Sequence, residues 1–245
     1  VKPVMPEGPA EFRFEQFYDY LTFERGLSDR TVVAYGRDLS RWMTFLNSEG
    51  VRDPAAVDVR VLREWIFALK DSGLAPTSIR RAQSAVRTYF GFLLGEGVLD
   101  ADPTDRLDSP RVDRTLPEFL SRDEVGKVLE SPDPSHRLYW RDRAILEFLY
   151  ATGVRVSELG ELRIAAVDLE EGFATVFGKG SKERLVPVGG PALRSLERYL
   201  RDVRPSLDRG KGDGRVFLNA RGTPIRRESI WSLVRTAAKR AGVKR

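Results

Sequence analysis

Two cations set close to glycines are the residues best placed to do chemistry in this chain. Arg155 falls just after Gly153 in the stretch ATGVRVSEL (151–159), and Lys179 sits between Gly178 and Gly180. A glycine that stops a helix fixes where the next residues start. A guanidinium offers a planar fork to two non-bridging phosphate oxygens and keeps its charge at any working pH. A lysine at the tip of a hairpin can give up a proton, which arginine cannot. Together they suit the stabilisation of a negatively charged phosphoryl transition state. Glu158 lies three residues after Arg155, where it either holds that arginine or a neighbour in place or forms a surface pair. Lys182 lies three residues after Lys179 in the same stretch, where contact with a nucleic-acid backbone or solvent suits it.

Composition narrows the chemistry. The chain has no cysteine and one histidine, His136. That excludes thiolate metal sites, cysteine nucleophiles and multi-histidine metal centres. The net charge of +5 favours an anionic partner, nucleic acid first. No apolar run is long enough to span a bilayer and no signal pattern opens the sequence, which makes the cytoplasm the expected location.

The elements that must position these residues fall into two regions. Residues 1–100 read as four helices. The first carries Phe12, Phe14, Phe17, Tyr18, Leu21 and Phe23 and closes at Gly26. Ser28 caps the second, with Val32, Tyr35, Leu39, Trp42 and Leu46 inward. Asp58 caps the third, with Leu62, Trp65, Ile66 and Leu69 inward. Thr77 starts the fourth, with Ile79, Ala82, Val86, Tyr89 and Leu93 inward and Gly95 and Gly97 at its end. Residues 101–117 contain three prolines and no apolar period, as an interdomain linker would.

Residues 118–245 mix helix and strand. Ser121 and Glu124 make a capping box. A helix over 137–152 ends at Gly153, and a short helix follows Arg155 to Leu162. Phe173–Phe177 and Arg184–Val188 read as a β-hairpin joined through Gly178–Lys182. A helix from Pro191 to about Asp202 and a last one from about Ile225 to Ala241 complete the pattern. The expected class is mainly α with a small antiparallel sheet.

Charge is uneven along this framework. Arg37 and Arg41 on the second helix, with Arg80, Arg81 and Arg87 on the fourth, could grip phosphates or form a solvated face. Residues 209–245 hold eleven Lys or Arg against two acids, more than the net charge of the whole chain. Arg226, Arg227, Arg235 and Lys239 there are candidates for DNA contact, as are Lys182 and Arg184 on the hairpin.

With ATGVRVSEL followed by VFGKGSKERLVPVG at 176–189, the chain resembles the tyrosine site-specific recombinases of the phage-integrase family, most of all the bacterial Xer type. The resemblance implies a helical, SAM-like core-binding domain at 1–100 and the first part of a catalytic domain at 118–245, together clamping double-stranded DNA. It implies strand cleavage through a 3′-phosphotyrosyl intermediate without metal or nucleotide, on a recombination site, by a homo- or hetero-tetramer, with chromosome dimer resolution as the Xer task. By the same resemblance Arg155 is the first catalytic arginine, Lys179 the hairpin lysine that protonates the leaving 5′-oxygen, and Glu158 a supporting acid. The family's His-x-x-Arg motif and its nucleophilic tyrosine have no match: His136 precedes Arg155, and the seven tyrosines (18, 20, 35, 89, 139, 150, 199) all lie too early. The expectation is therefore a chain cut inside the catalytic domain, which binds DNA without cleaving it and leaves Trp231, Leu233 and Val234 partly exposed. The alternatives are a non-catalytic competitor for recombination sites, a mobile-element integrase and, further off, a helical adaptor for RNA or an acidic protein.

Overall fold

The computed structural model describes residues 5–108, 118–178 and 183–244. Its packing divides the chain into two units, Val1–Thr115 and Leu116–Arg245. The class is the expected one, helical with a small antiparallel sheet.

In the first unit, α1 (Phe14–Asp19) leads into a π turn (Tyr20–Glu24) and is followed by α2 (Asp29–Ser48), α3 (Val59–Asp71) and α4 (Pro76–Gly95). Asp58 caps α3, its carboxylate accepting from Val61 N at 2.9 Å. Pro76 occupies the first turn of α4, where its missing N–H costs nothing, so the helix starts just ahead of Thr77. Ser28 precedes α2 with extended backbone, but its hydroxyl meets that of Thr31 at 3.0 Å rather than a backbone N–H. The core is aromatic. Trp42 meets Trp65 edge-on at 5.0 Å, and Tyr89 packs against Phe14 at 5.2 Å and Phe17 at 5.3 Å. The Tyr89 hydroxyl donates to Phe12 O at 2.8 Å.

Three further expectations for this unit change. The first helix is broken at Arg13, whose φ of 47° is left-handed, and ends in the π turn; the wider turn rotates Phe23 off the core face and leaves it exposed. Tyr35 is only half-buried, its hydroxyl 3.4 Å from that of Ser84. The predicted linker is not free over its first part: Leu107 is buried with the first core, and Gln83 Nε2 donates to Asp108 O at 3.3 Å. The rest of it, 109–117, lies outside the described residues.

The second unit runs α5 (Arg122–Glu130), α6 (Tyr139–Thr152), α7 (Val156–Glu161), β1 (Val167–Asp168), β2 (Phe173–Phe177), β3 (Glu183–Pro187), α8 (Gly190–Arg198), α9 (Arg204–Leu207) and α10 (Arg227–Arg240). The Ser121–Glu124 capping box is present, with bonds of 3.2 and 2.8 Å. The strands pair antiparallel in the order β1-β2-β3, with Val176 opposite Arg184 and Phe177 opposite Glu183. Ala174, Val176 and Val186 face the core with Phe148, Tyr199 and Phe217. β1, two residues long, is too short to show an alternating pattern. The helix from Pro191 was expected to end near Asp202. It continues instead through a π turn (Tyr199–Val203) into α9, because Tyr199 and Leu207 are both core residues. Tyr199 stacks on Phe217 at 5.6 Å and its hydroxyl accepts from Leu218 N at 3.0 Å. The turn before α10 closes at Gly222, where φ is +81° and a side chain would run into the carbonyl oxygen of Leu207.

Candidate active site and nucleic-acid interface

Local backbone rules place Arg155. Gly153 terminates α6 in the left-handed region at φ 60°, accepting no side chain cheaply, and its N–H bonds Leu149 O at 3.0 Å. The chain then turns extended at Arg155, which sits at the N-cap of α7. Glu158, three residues into the helix, reaches back: its Oε2 accepts from Arg155 N at 2.8 Å. Its Oε1 accepts from the Arg155 guanidinium at 2.7 Å.

A second arginine completes the group. Arg184 lies on the core-facing side of β3, opposite Val176. Its guanidinium grips Glu158 through both terminal nitrogens, at 3.0 Å to Oε1 and 2.6 Å to Oε2. The Glu158 side chain is 4% exposed, whereas Arg155 is 68% and Arg184 39% exposed. One sunk carboxylate thus pins two arginines from different elements and leaves the outer edges of both guanidiniums toward solvent. The Arg184 hydrogen bonds, with those from the Arg155 backbone and side chain, pull the Glu158 carboxyl down to about 2 from an ordinary 4.5. The carboxylate is charged at any physiological pH, and the cluster carries a net single positive charge.

The sequence had Arg184 as a DNA contact and Glu158 as support for Arg155 or a neighbour; the structure joins all three. Lys179 and Lys182, in the β2–β3 connection, lie outside the described residues.

The remaining basic candidates separate by environment. Arg226 and Arg227 are exposed at the start of α10, with Arg235 and Lys239 exposed further along it. Gly160 lets α7 approach this region closely: a Cβ there would lie 3.3 Å from Ile225 O. Trp231 is exposed with the Arg235 guanidinium over its ring at 5.4 Å, and Leu233 and Val234 are half-buried. In the first unit Arg37, Arg41, Arg80 and Arg81 are exposed. Arg87 departs from expectation. It is half-buried and donates to the carbonyl of Leu107, because the segment after α4 folds back over it.

Sequence reasoning missed Asp38, which is fully buried and bonded to Arg41 and Arg81. A signal existed. Asp38 stands three residues after Tyr35 and four before Trp42, on the core face of α2, where an acid without partners would be very costly.

The fold has known counterparts. A lambda integrase dimer bound to a COC′ core site superposes with a TM-score of 0.74 at 16% identity, over 96% of this chain and 82% of that one. XerH site-specific recombinase bound to a palindromic difH substrate gives 0.73 at 20% identity, over 96% of this chain and 69% of that one. The Phage integrase family model matches residues 118–245, and that of the Phage integrase N-terminal SAM-like domain matches 14–97. The chain belongs to the phage-integrase family, and within it to the Xer-type tyrosine recombinases. It is 40% identical to tyrosine recombinase XerD of Chlorobaculum tepidum over 98% of this chain and 81% of that protein. Its identity to tyrosine recombinase XerD of Staphylococcus aureus is 38%, over 94% of this chain and 78% of that protein.

Proposed function

We propose that this Xer-type recombinase acts in chromosome dimer resolution, in the cytoplasm, on a double-stranded recombination site, with recombinase subunits assembling as a tetramer on paired sites. The observation that carries the site reading is the Glu158-pinned pair of arginines. In this reading Arg155 binds the non-bridging oxygens of the scissile phosphate and neutralises the charge that builds on them as the phosphorus becomes five-coordinate. Arg184 gives the adjoining backbone a second cation at fixed distance. Lys179 protonates the departing 5′-oxygen. A tyrosine oxygen forms the new bond to phosphorus as the bond to the 5′-oxygen breaks, so the phosphodiester energy is kept in the 3′-phosphotyrosyl link and no cofactor enters.

None of the seven tyrosines is that nucleophile in this reading. Tyr89 and Tyr199 are fully buried, and burial pushes both phenols up in pKa, away from a reactive phenolate. The 245-residue polypeptide accordingly supplies DNA binding and phosphate activation. A nicked suicide duplex carrying a Xer-type site tests this, with covalent adducts read on a denaturing gel. The expected result is site-selective binding without an adduct. When a recombinase domain carrying a tyrosine nucleophile is supplied in the same protein, cleavage appears and Arg155→Ala abolishes it, while DNA affinity stays within about tenfold because one phosphate contact among many is lost. An adduct on Tyr150, which is exposed at the end of α6, would overturn the assignment.

A further inference from the structure

The first unit contains a second copy of the device that holds Arg155. Asp38 is 0% exposed, and its two partners reach it from different helices. Arg81 of α4 grips it with two nitrogens, Nε to Oδ2 at 2.8 Å and a terminal nitrogen to Oδ1 at 3.0 Å. Arg41 of α2 adds a third bond to Oδ1 at 3.0 Å. The arginine side chains are 47% and 44% exposed for Arg41 and Arg81. Both approach the same oxygen, so their bonded nitrogens are held within hydrogen-bond reach of one point. The bonds to Asp38 use part of each guanidinium, and the other N–H groups remain free to face solvent.

Two features separate this group from an ordinary surface ion pair. The carboxylate is fully desolvated, so it must keep its partners, and the partners cannot wander as exposed arginines do. The parallel with Glu158 is also close: one sunk acid, two part-exposed arginines from two elements, and a net single positive charge. Arg37 and Arg80, exposed beside Arg41 and Arg81 in sequence, extend the positive field.

We infer that Asp38 is a positioning residue that turns Arg41 and Arg81 into a pre-ordered seat for one phosphate of the DNA backbone. The seat rests on the DNA-binding reading given above. The seat is assigned to the phosphate backbone, and comparison of site-bearing with random duplexes separates it from base readout.

The sign of one substitution tests it. Asp38→Asn removes a negative charge from a DNA-binding surface, so charge alone predicts tighter binding. A seat that depends on Asp38 predicts the opposite, about five- to tenfold weaker binding, equally on site-bearing and random duplexes. The assay is fluorescence anisotropy of the 245-residue chain on both duplexes across a salt series, with circular dichroism melts as the folding control. Arg81→Lys, on the surface, serves if Asp38→Asn fails to fold. It keeps the charge and loses the fork, so the seat predicts weaker binding with a shallower salt slope. Unchanged or tighter binding by folded Asp38→Asn, or unchanged binding by Arg81→Lys, overturns the seat. Loss confined to the site-bearing duplex overturns it in favour of base readout. An unaltered chain that binds no duplex, or prefers an acidic peptide, refutes the DNA reading and the seat with it.

Discussion

Glu158→Gln probes the pinned arginine pair most directly, because glutamine keeps the shape of a carboxyl that can never ionise. The folded-state pKa of Glu158 lies near 2 against an ordinary 4.5. That gap corresponds to roughly 3 kcal/mol between charged and neutral forms. Arg155 is largely exposed and Arg184 partly so, and solvent screening of them reduces the realised value to about 1–2 kcal/mol. The sign follows from linkage. The pKa is depressed in the folded state, so the unfolded chain takes up the proton first as pH falls. The contribution is whole above 4.5, declines below it, and is gone under about 2. More than half should be lost by about pH 3. Urea unfolding of the unaltered chain and of Glu158→Gln at a series of pH values measures the difference, and hydrogen exchange in residues 153–162 reports the same site locally. Other depressed carboxyls, Asp133 and Asp202, are common to both proteins and cancel. At pH 7 the glutamine variant should be less stable by about 1–2 kcal/mol, with the gap closing toward pH 3. A gap that stays constant over that range, or a more stable variant at pH 7, would show that Glu158 does not hold the arginines as described.

The other predictions are narrower. In a cleaving protein that carries these residues, Lys179→Ala should slow strand cleavage strongly, and a 5′-bridging phosphorothiolate, whose leaving group needs no proton, should restore the rate; without rescue the general-acid role fails. Gly222→Ala should destabilise the second unit by roughly 2 kcal/mol or more, since it adds a left-handed strain to a clash with the Leu207 carbonyl. A thermal melt within half a degree of the unaltered chain would refute the clash.

How far the sequence reached depended on whether a feature was local. Caps and stops are written in two to four residues, which is why Asp58, the Ser121–Glu124 box and Gly153 fall where periodicity and capping rules put them. The place of Arg155 was legible for the same reason, at the break between a helix stop and a short helix. The π turns at Tyr20–Glu24 and Tyr199–Val203 were not legible. Each inserts one residue per turn, a change of face decided by which aromatic the core can accept. The partner of Glu158 was open for a similar reason. Arg184 is 26 residues away in sequence and meets Glu158 only because β3 pairs with β2 and carries it on the inward side. Asp38 could have been suspected from its place on the apolar face of α2, but the arginine that neutralises it, Arg81, is 43 residues distant.

The two carboxylates pose one physical question, which is why a fold would sink an acid beneath its own basic surface. Stability is a poor answer, since desolvating a charge costs about as much as pairing returns. Geometry is a better one. A free arginine side chain samples many rotamers and surrenders about 2 kcal/mol of that freedom on binding. An arginine tied to a buried carboxylate has surrendered much of it during folding, so its remaining N–H groups meet a phosphate with less still to lose. The cost falls on the fold and the benefit on binding, and under the function proposed above the benefit of the Arg155 pair would extend to a transition state whose charge the guanidinium meets without rearranging. The acids also cap the net charge of each cluster at a single positive unit, strong enough to draw a phosphate and weak enough that two adjacent guanidiniums do not repel each other apart. Both features require the acid to be buried, because a solvated one would neither fix its partners nor keep them through changes of salt.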